Sequence, residues 1–327
     1  ADPRTKSFAM QNDLAIYGGF AGNEPSDFNL SNRDMISNKT ELSGEIQQDN
    51  LIHNNAYHVI LNFPPYENPL NHTAVLDGFT IVGGAATLLV DNTDAHLPHS
   101  FGGGIMTYGS APTIQRCYFL SSQGYFGGGM SNFESNTSTH HSQFIGNAAQ
   151  YGAGIFNSLS NALVTNSSFQ LNNADSGGGI FQLDSAPTII NSSFSANKAS
   201  SDGGAIYNSN SLTKIKNSIL WGNNSEIAAG DGSDLSYNII QGWTDAGNNN
   251  LNVDPKFIQQ PSVDGDIIGN LNLLRCSPAI NVGDPATNLV IVGTTDLIDN
   301  PRIFGGNIDL GAYEVQSEPL IVTTSVV

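Results

Sequence analysis

The feature that most constrains this chain is a period. Gly102-Gly103-Gly104-Ile105 returns as Gly127-Gly128-Gly129-Met130, Gly152-Ala153-Gly154-Ile155, Gly177-Gly178-Gly179-Ile180 and Gly203-Gly204-Ala205-Ile206. The apolar member falls at 105, 130, 155, 180 and 206, so the spacing is 25, 25, 25 and 26. A second column, Phe119, Phe144, Phe169, Phe194 and Ile219, repeats every 25 residues, with Asn147, Asn172 and Asn197 three places after its members. A third holds Thr107, Asn132, Asn157, Gln182 and Asn208. Self-similarity at this length marks a solenoid.

The repeats carry no helical periodicity. Short apolar alternations such as Ile189 to Phe194 sit between Gly-, Asn- and Ser-rich turns, which reads as short strands. At strand rise, 25 residues make a perimeter of roughly 80 Å, one turn of a flattened, three-sided tube. Coils paired in parallel rise about 4.8 Å, so each column becomes a ladder. Stacked Phe fills the interior, and stacked Asn side chains bond along the axis and satisfy turn groups. The expected fold is therefore an all-β, right-handed parallel β-helix. Its handedness follows the general preference of parallel crossovers.

Composition agrees with the ladder. The chain of 327 residues holds 35 Gly and 38 Asn, and only 12% of residues are charged. Like charges stacked one coil apart would repel, whereas Asn, Ser and Gly stack without that cost. With 29 acids against 11 bases the formal charge is −18, which opposes binding to nucleic acid or to an anionic membrane surface. No apolar run reaches the length of a membrane span.

The motif pair Gly203-Gly204-Ala205-Ile206 with Phe144-Ile145-Gly146-Asn147, Phe169-Gln170-Leu171-Asn172 and Phe194-Ser195-Ala196-Asn197 resembles the GGAI and FxxN repeats of polymorphic outer membrane proteins, secreted bacterial β-helix proteins. The Phe119 coil departs with Ser122 in the Asn position, and the Ile219 coil with Gly222 there and Asn223 one place later. Upstream, Ile16 to Glu24, Arg33-Asp34, Thr40 to Gly44 and Leu76 to Ile81 resemble the N-terminal coils of Bacteroidetes-type secreted β-helix proteins. Downstream, Asn217 to Asn223, Ser236 to Gly242, Asp254 to Phe257, Ser277 to Asn281, Asp299 to Ile303 and Asp309 to Glu314 continue the likeness, the last sets being similar to a choice-of-anchor domain. The resemblance implies export and display on a bacterial cell surface. It implies no reaction, because such proteins share no catalytic motif.

The expected organisation is an N-terminal tail over 1–13, β-helix over 14–250 with a loop inserted near 84–101, a C-terminal β-helix end or anchor-type module over 251–316, and a terminal strand or linker over 317–327. The interval from Phe79 to Phe119, 40 residues, is one coil plus 15 and locates the loop. Cys117 aligns with Ser142, Ser167 and Ser192 and reads as a small buried residue. A bond to Cys276 would need the C-terminal module to fold back along the tube.

Candidate sites follow from the columns. Phe156, Phe181 and Tyr207 each follow an inward residue and so point outward; Phe101, Phe126 and Tyr151 make a second ladder. Exposed aromatic stacks are platforms for sugar rings, although ladder packing and loop cover are the favoured account of them. Asp231, Asp234, Asp264 and Asp266 lie in acidic Gly turns that could hold Ca²⁺, and also form ordinary turns. His96/His99 and His140/His141 read as loop or surface residues rather than metal ligands. The acids Glu134, Asp175, Asp184 and Asp202 of the regular coils, with Glu226 just beyond them, fall in different columns, which argues against a paired-carboxylate hydrolase. Arg302 with Asp309 or Glu314 reads as a structural ion pair. The expected function is a secreted or surface-displayed structural and adhesive protein binding glycans or a surface partner without catalysis. A β-helix polysaccharide lyase or glycoside hydrolase is the alternative, and a subunit that self-associates end to end is a third, because a solenoid end is an unpaired sheet edge.

Overall fold

The structure, a computed structural model, describes residues 2–49, 51–65, 67–88, 99–228, 233–245 and 247–318. Four strands, not three, make each regular coil. In one coil they are Thr113–Gln115, Tyr118–Leu120, Gln123–Phe126 and Met130–Phe133. Each pairs in parallel with its equivalents above and below. Faces one to four, named in this order, are sheets of eight, eight, five and seven strands among the described residues. The chain is a parallel β-helix.

The interior is written in columns. Face two contributes Ile81, Phe119, Phe144, Phe169, Phe194 and Leu220, each in register with the next. The Phe rings stack at centroid distances of 4.4, 4.7 and 4.5 Å with interplanar angles of 2° to 3°, because coil spacing brings identical side chains into contact. Face one adds Leu76, Ile114, Val164, Ile189 and Ile215, and face four adds Ile60, Ile105, Met130, Ile155, Ile180 and Ile206. Face three needs small residues and has Ala86, Gly124, Ala149, Ala174 and Ala199 in register.

Two register expectations are corrected. Phe194 pairs with Leu220, not Ile219, and Ile81 rather than Phe79 pairs with Phe119. The strand Lys198–Asp202 holds one extra residue, Ser176 pairing with Asp202, and that insertion displaces all later columns by one. With Leu220 in the column, Asn223 stands three places on, and the apparent departure of that coil vanishes.

Polar ladders stitch the corners. The backbone N–H of Cys117 donates to Ser142 Oγ, Ser142 to Ser167, Ser167 to Ser192 and Ser192 to Ser218. Asn147 Nδ2 donates to Asn172 Oδ1 at 3.0 Å, Asn172 to Asn197 at 2.8 Å, and Asn197 to Asn223 at 2.8 Å. These bonds give buried corner amides their partners. Gly127 shows why the triplets begin with glycine: its φ is +76°, and a Cβ there would run into the Met130 carbonyl.

Residues 251–318 add no further coils. After Leu251 bridges Ile239, the chain reverses and lies along the outside of face two. Its apolar side chains, among them Phe257, Leu273, Leu310 and Tyr313, form a second core against Ile219 and Ile239, which point outward from that face. The corner between faces one and two has a left-handed residue in each coil: Arg116, His141, Asn166, Asn191, Asn217 and Tyr237. Asn tolerates that backbone well, and here its amide also docks the returning chain. Asn217 Nδ2 donates to Thr287 Oγ1 and its Oδ1 accepts from Asp284 N. Asn191 donates to the Asp309 carbonyl and Asn166 to the Val292 carbonyl. His141 Nε2 lies 3.0 Å from the Thr295 carbonyl. The fold-back does not join the cysteines: both are free, Cys117 buried and Cys276 exposed.

Both ends of face three are closed by side chains. Arg4 Nη2 donates to the Ala85 carbonyl at the first strand. At the last, Asn224 accepts from Ala199 N and donates to its carbonyl. The Ala85 carbonyl and the Ala199 N–H and carbonyl, which an end-to-end neighbour would pair with, are thereby occupied.

Candidate functional site

The aromatic ladders are not an open platform. Phe156 and Phe181 do point away from the tube, yet they are 2% and 7% exposed. Phe101, Phe126 and Tyr151 stack on one another and close over them. Phe126 lies 4.9 Å from Phe156, and Tyr151 meets Phe181 edge-on at 5.2 Å. Phe181 stacks on Tyr207, which is half-buried like the covering ladder. Alternation specifies the side of a sheet, not whether a second layer covers it, and here the two ladders satisfy each other.

The acidic turns are dispersed. Asp231 and residues 89–98, including His96 and most of the inserted loop, lie outside the described residues. Asp234 sits on face one beside Lys214 of the preceding coil. Asp264 Oδ1 takes the Lys198 ammonium at 2.8 Å. The described residues contain no group of three or more His, Cys, Asp or Glu placed to hold a metal ion. His99 stacks on Tyr57, and His140 Nδ1 lies 2.8 Å from Thr165 Oγ1.

Asp264 and Asp266 nevertheless line a groove of about 600 Å³. One wall is the loop Val263 to Ile268 of the returning chain, held down where Gly269 N donates to Gln170 Oε1. The other wall is the corner after face two in four successive coils, Ser121, Gly146, Leu171 and Ala196, with Leu120, Ile145, Asn173 and Lys198 beside it. The groove therefore runs along the solenoid axis for three coil spacings, about 14 Å. Its surface mixes apolar corners with amide, ammonium and carboxylate groups.

A second opening lies across face two, where the returning chain ends short of the N-terminal coils. Two adjoining hollows of about 480 and 220 Å³ share Arg33, Met35, Arg116 and Asp299. Their floor is an ion network. Asp77, fully buried, accepts from Arg33 Nη2 at 2.9 Å, from Arg116 Nε and Nη2 at 2.9 and 2.5 Å, and from Gln115 Nε2 at 2.8 Å. Burial alone would raise the Asp77 carboxyl, but the hydrogen bonds and charges of Arg116 and Arg33 outweigh it and hold the pKa below the ordinary value.

The carboxyls whose pKa is raised are withdrawn from solvent. Burial pushes Glu226 up to about 7, Asp309 to about 6 and Glu314 to about 8. Glu314 accepts from the amides of Phe304 and Asp309, and Asp309 from those of Asn281 and Val315. Arg302, also fully buried, donates to the carbonyls of Asp309 and Gly311 rather than to a carboxylate, so the expected ion pair is instead a backbone clamp. None of these groups lines either opening.

Sequence reasoning reached Asp264 and Asp266 through their turn chemistry. It missed the Arg33–Asp77–Arg116 network, whose members come from three separate coils or loops. No protein-family model matches this chain, and no curated protein matches it.

Proposed function

We propose that this protein is a secreted, surface-displayed β-helix with a structural and adhesive role, which binds a polysaccharide strand along its flank without turning it over. The observation that carries the reading is the axial groove under the Val263 to Ile268 loop. An extended polymer laid along the solenoid meets the same corner position every coil, with apolar contacts from Leu171 and Ala196 and polar contacts from Asn173, Lys198 and Asp266. Sugar chains present this alternation of apolar ring faces and hydroxyls. The likeness of the repeats to polymorphic outer membrane proteins, and of the C-terminal segment to an anchor module, supports export and a bacterial cell surface. The alternative of a lyase or hydrolase draws no support from the carboxyls with raised pKa, because each is turned inward onto amide donors.

The test is a panel of neutral and uronate-containing polysaccharides, with binding followed by affinity electrophoresis and turnover by reducing ends and unsaturated-product absorbance. Retardation by at least one polymer, weakened in Asp266→Ala and Asn173→Ala and without turnover, is the expected result. Turnover, or binding indifferent to both substitutions, would overturn it.

A further inference from the structure

The opening at the other edge of face two has the composition of a small-ligand site. We infer that it binds a single neutral sugar unit, with Arg116 and Asp299 as the paired donor and acceptor. This inference does not depend on the axial groove.

The geometry begins with what is uncommitted. Arg116 places Nε and Nη2 on Asp77, and its Nη1 makes no hydrogen bond among the described residues. The Asp299 carboxylate likewise accepts none from them, yet both residues line the same two hollows. Each is a non-glycine residue in the left-handed region, with φ of +50° and +64°. In the corner column Asn166, Asn191 and Asn217 satisfy that backbone with an amide that grips the returning chain. Arg116 departs from this pattern at the point where the grip ends and the cleft opens. Its guanidinium cannot swing away, because Asp77 holds two of its nitrogens. A pre-set donor that shares a hollow with an uncommitted carboxylate can fix two neighbouring hydroxyls.

The walls supply the other half of sugar recognition. Tyr17, Leu30 and Met35 form an apolar side, and Tyr17 lies over the Arg33 guanidinium at 5.0 Å, which fixes the cation beneath it. An apolar ring face packs on such a wall while hydroxyls turn to the polar side. The larger hollow has the volume of a small-ligand pocket.

Charge decides between a neutral and an acidic sugar. Two guanidinium groups, Arg33 and Arg116, face three carboxylates, Asp77, Asp299 and Asp34. Asp34 is turned to the amides of Ile36 and Ser37. Burial holds the His141 pKa below the ordinary value, so its ring adds no positive charge near neutrality. A ligand carboxylate finds no net positive field here.

The experiment is saturation-transfer NMR on the full chain with the methyl glycosides of glucose, galactose and mannose, and with glucuronate as the anionic control. At least one methyl glycoside should receive saturation at millimolar concentration, more strongly than glucuronate. Loss of a hydrogen bond to a charged group should weaken binding about tenfold in Asp299→Gly, a substitution its left-handed backbone accepts. Tyr17→Ala should do the same, with circular dichroism confirming that both variants fold. Asp266→Ala, in the axial groove, should bind like the parent. The assignment fails if no methyl glycoside binds, if binding survives both substitutions, or if glucuronate binds best.

Discussion

Asn223 Nδ2 donates to Glu226 Oε2 at 2.6 Å, and that bond ends a ladder of four asparagines whose amides all point the same way along the solenoid. Each Asn passes a donor to the next coil, so the final amide needs an acceptor that is not another Asn. Aligned amide dipoles also leave partial positive charge at that end, which the acceptor oxygen of the Glu226 carboxyl meets. Glu226→Ala should cost about 1 kcal/mol by removing one of the two bonds that the half-buried Asn223 amide donates, whereas Glu226→Gln keeps an acceptor and should cost less. Burial raises the Glu226 pKa from 4.5 to about 7, so its neutral form is the one favoured by folding. Its stabilising contribution is full below the unfolded pKa and declines as pH rises through about 7. Urea denaturation of the parent and of Glu226→Gln across that window should show the slope shrinking in the Gln variant. An unchanged slope would contradict the assignment.

Phe169 stacks on Phe144 at 4.7 Å and on Phe194 at 4.5 Å, both nearly parallel, and is fully buried. Phe169→Ala removes both stacking contacts and leaves a cavity, for an expected loss of about 3–5 kcal/mol. Phe169→Leu should cost markedly less, since Leu220 already occupies this column. In a solenoid each coil meets only its neighbours. Amide exchange in the Ala variant should therefore rise most in the coils containing Phe144, Phe169 and Phe194, and a uniform rise along the tube would count against the ladder.

The ladders were legible because a solenoid repeats its chemistry at fixed intervals, and the eye needs only the interval. Legibility failed where two assignments fit one spacing. Ile219 and Leu220 are adjacent and both apolar, so the residues themselves do not show which one turns inward, and only the 26-residue steps from Ile180 to Ile206 and from Asn197 to Asn223 carry the shift made in Lys198–Asp202. It failed again for Phe156 and Phe181, whose outward direction is correct but whose cover comes from Phe126 and Tyr151 of other strands. The cleft was beyond reach for a third reason. Tyr17, Asp77 and Arg116 meet through the stacking of the first coils and Arg33 through a loop between them, while Asp299 joins them only because the C-terminal segment doubles back along the tube, and no local spacing encodes that return.

His58 is buried, with Nδ1 3.0 Å from the Gly102 carbonyl. Burial pushes its pKa down from 6.5 to about 4, and burial does the same to His140. A depressed histidine contributes stability that is present above the unfolded pKa and is lost as pH falls from 6.5 toward about 4. In NMR titrations the His58 and His140 ring signals should stay at their neutral positions down to about pH 5, where an ordinary exposed histidine is already protonated. Protonation of either ring near 6.5 would show that it is open to solvent.

Asn217 joins the two cores through both ends of its amide, with Nδ2 on Thr287 Oγ1 at 2.7 Å and Oδ1 accepting from Asp284 N at 2.8 Å. Its carbonyl accepts from Gly311 N at 2.7 Å. Its φ of +51° lets the side-chain contribution be separated from the backbone one. Asn217→Gly keeps the favoured conformation and loses only the two side-chain bonds, at about 1 kcal/mol each. Asn217→Ala loses the same bonds and adds the strain of a left-handed Cβ, a further 1 kcal/mol or so. If the returning chain is held to the tube by this corner column, amide exchange across residues 284–311 should accelerate in the order parent, Gly variant, Ala variant. Amides of the coils from Phe119 to Phe194 should stay protected throughout. Equal acceleration in the coils would mean that the segment and the tube open as one unit. No acceleration in either variant would place the docking energy in the apolar contacts of Leu310 and Tyr313 instead.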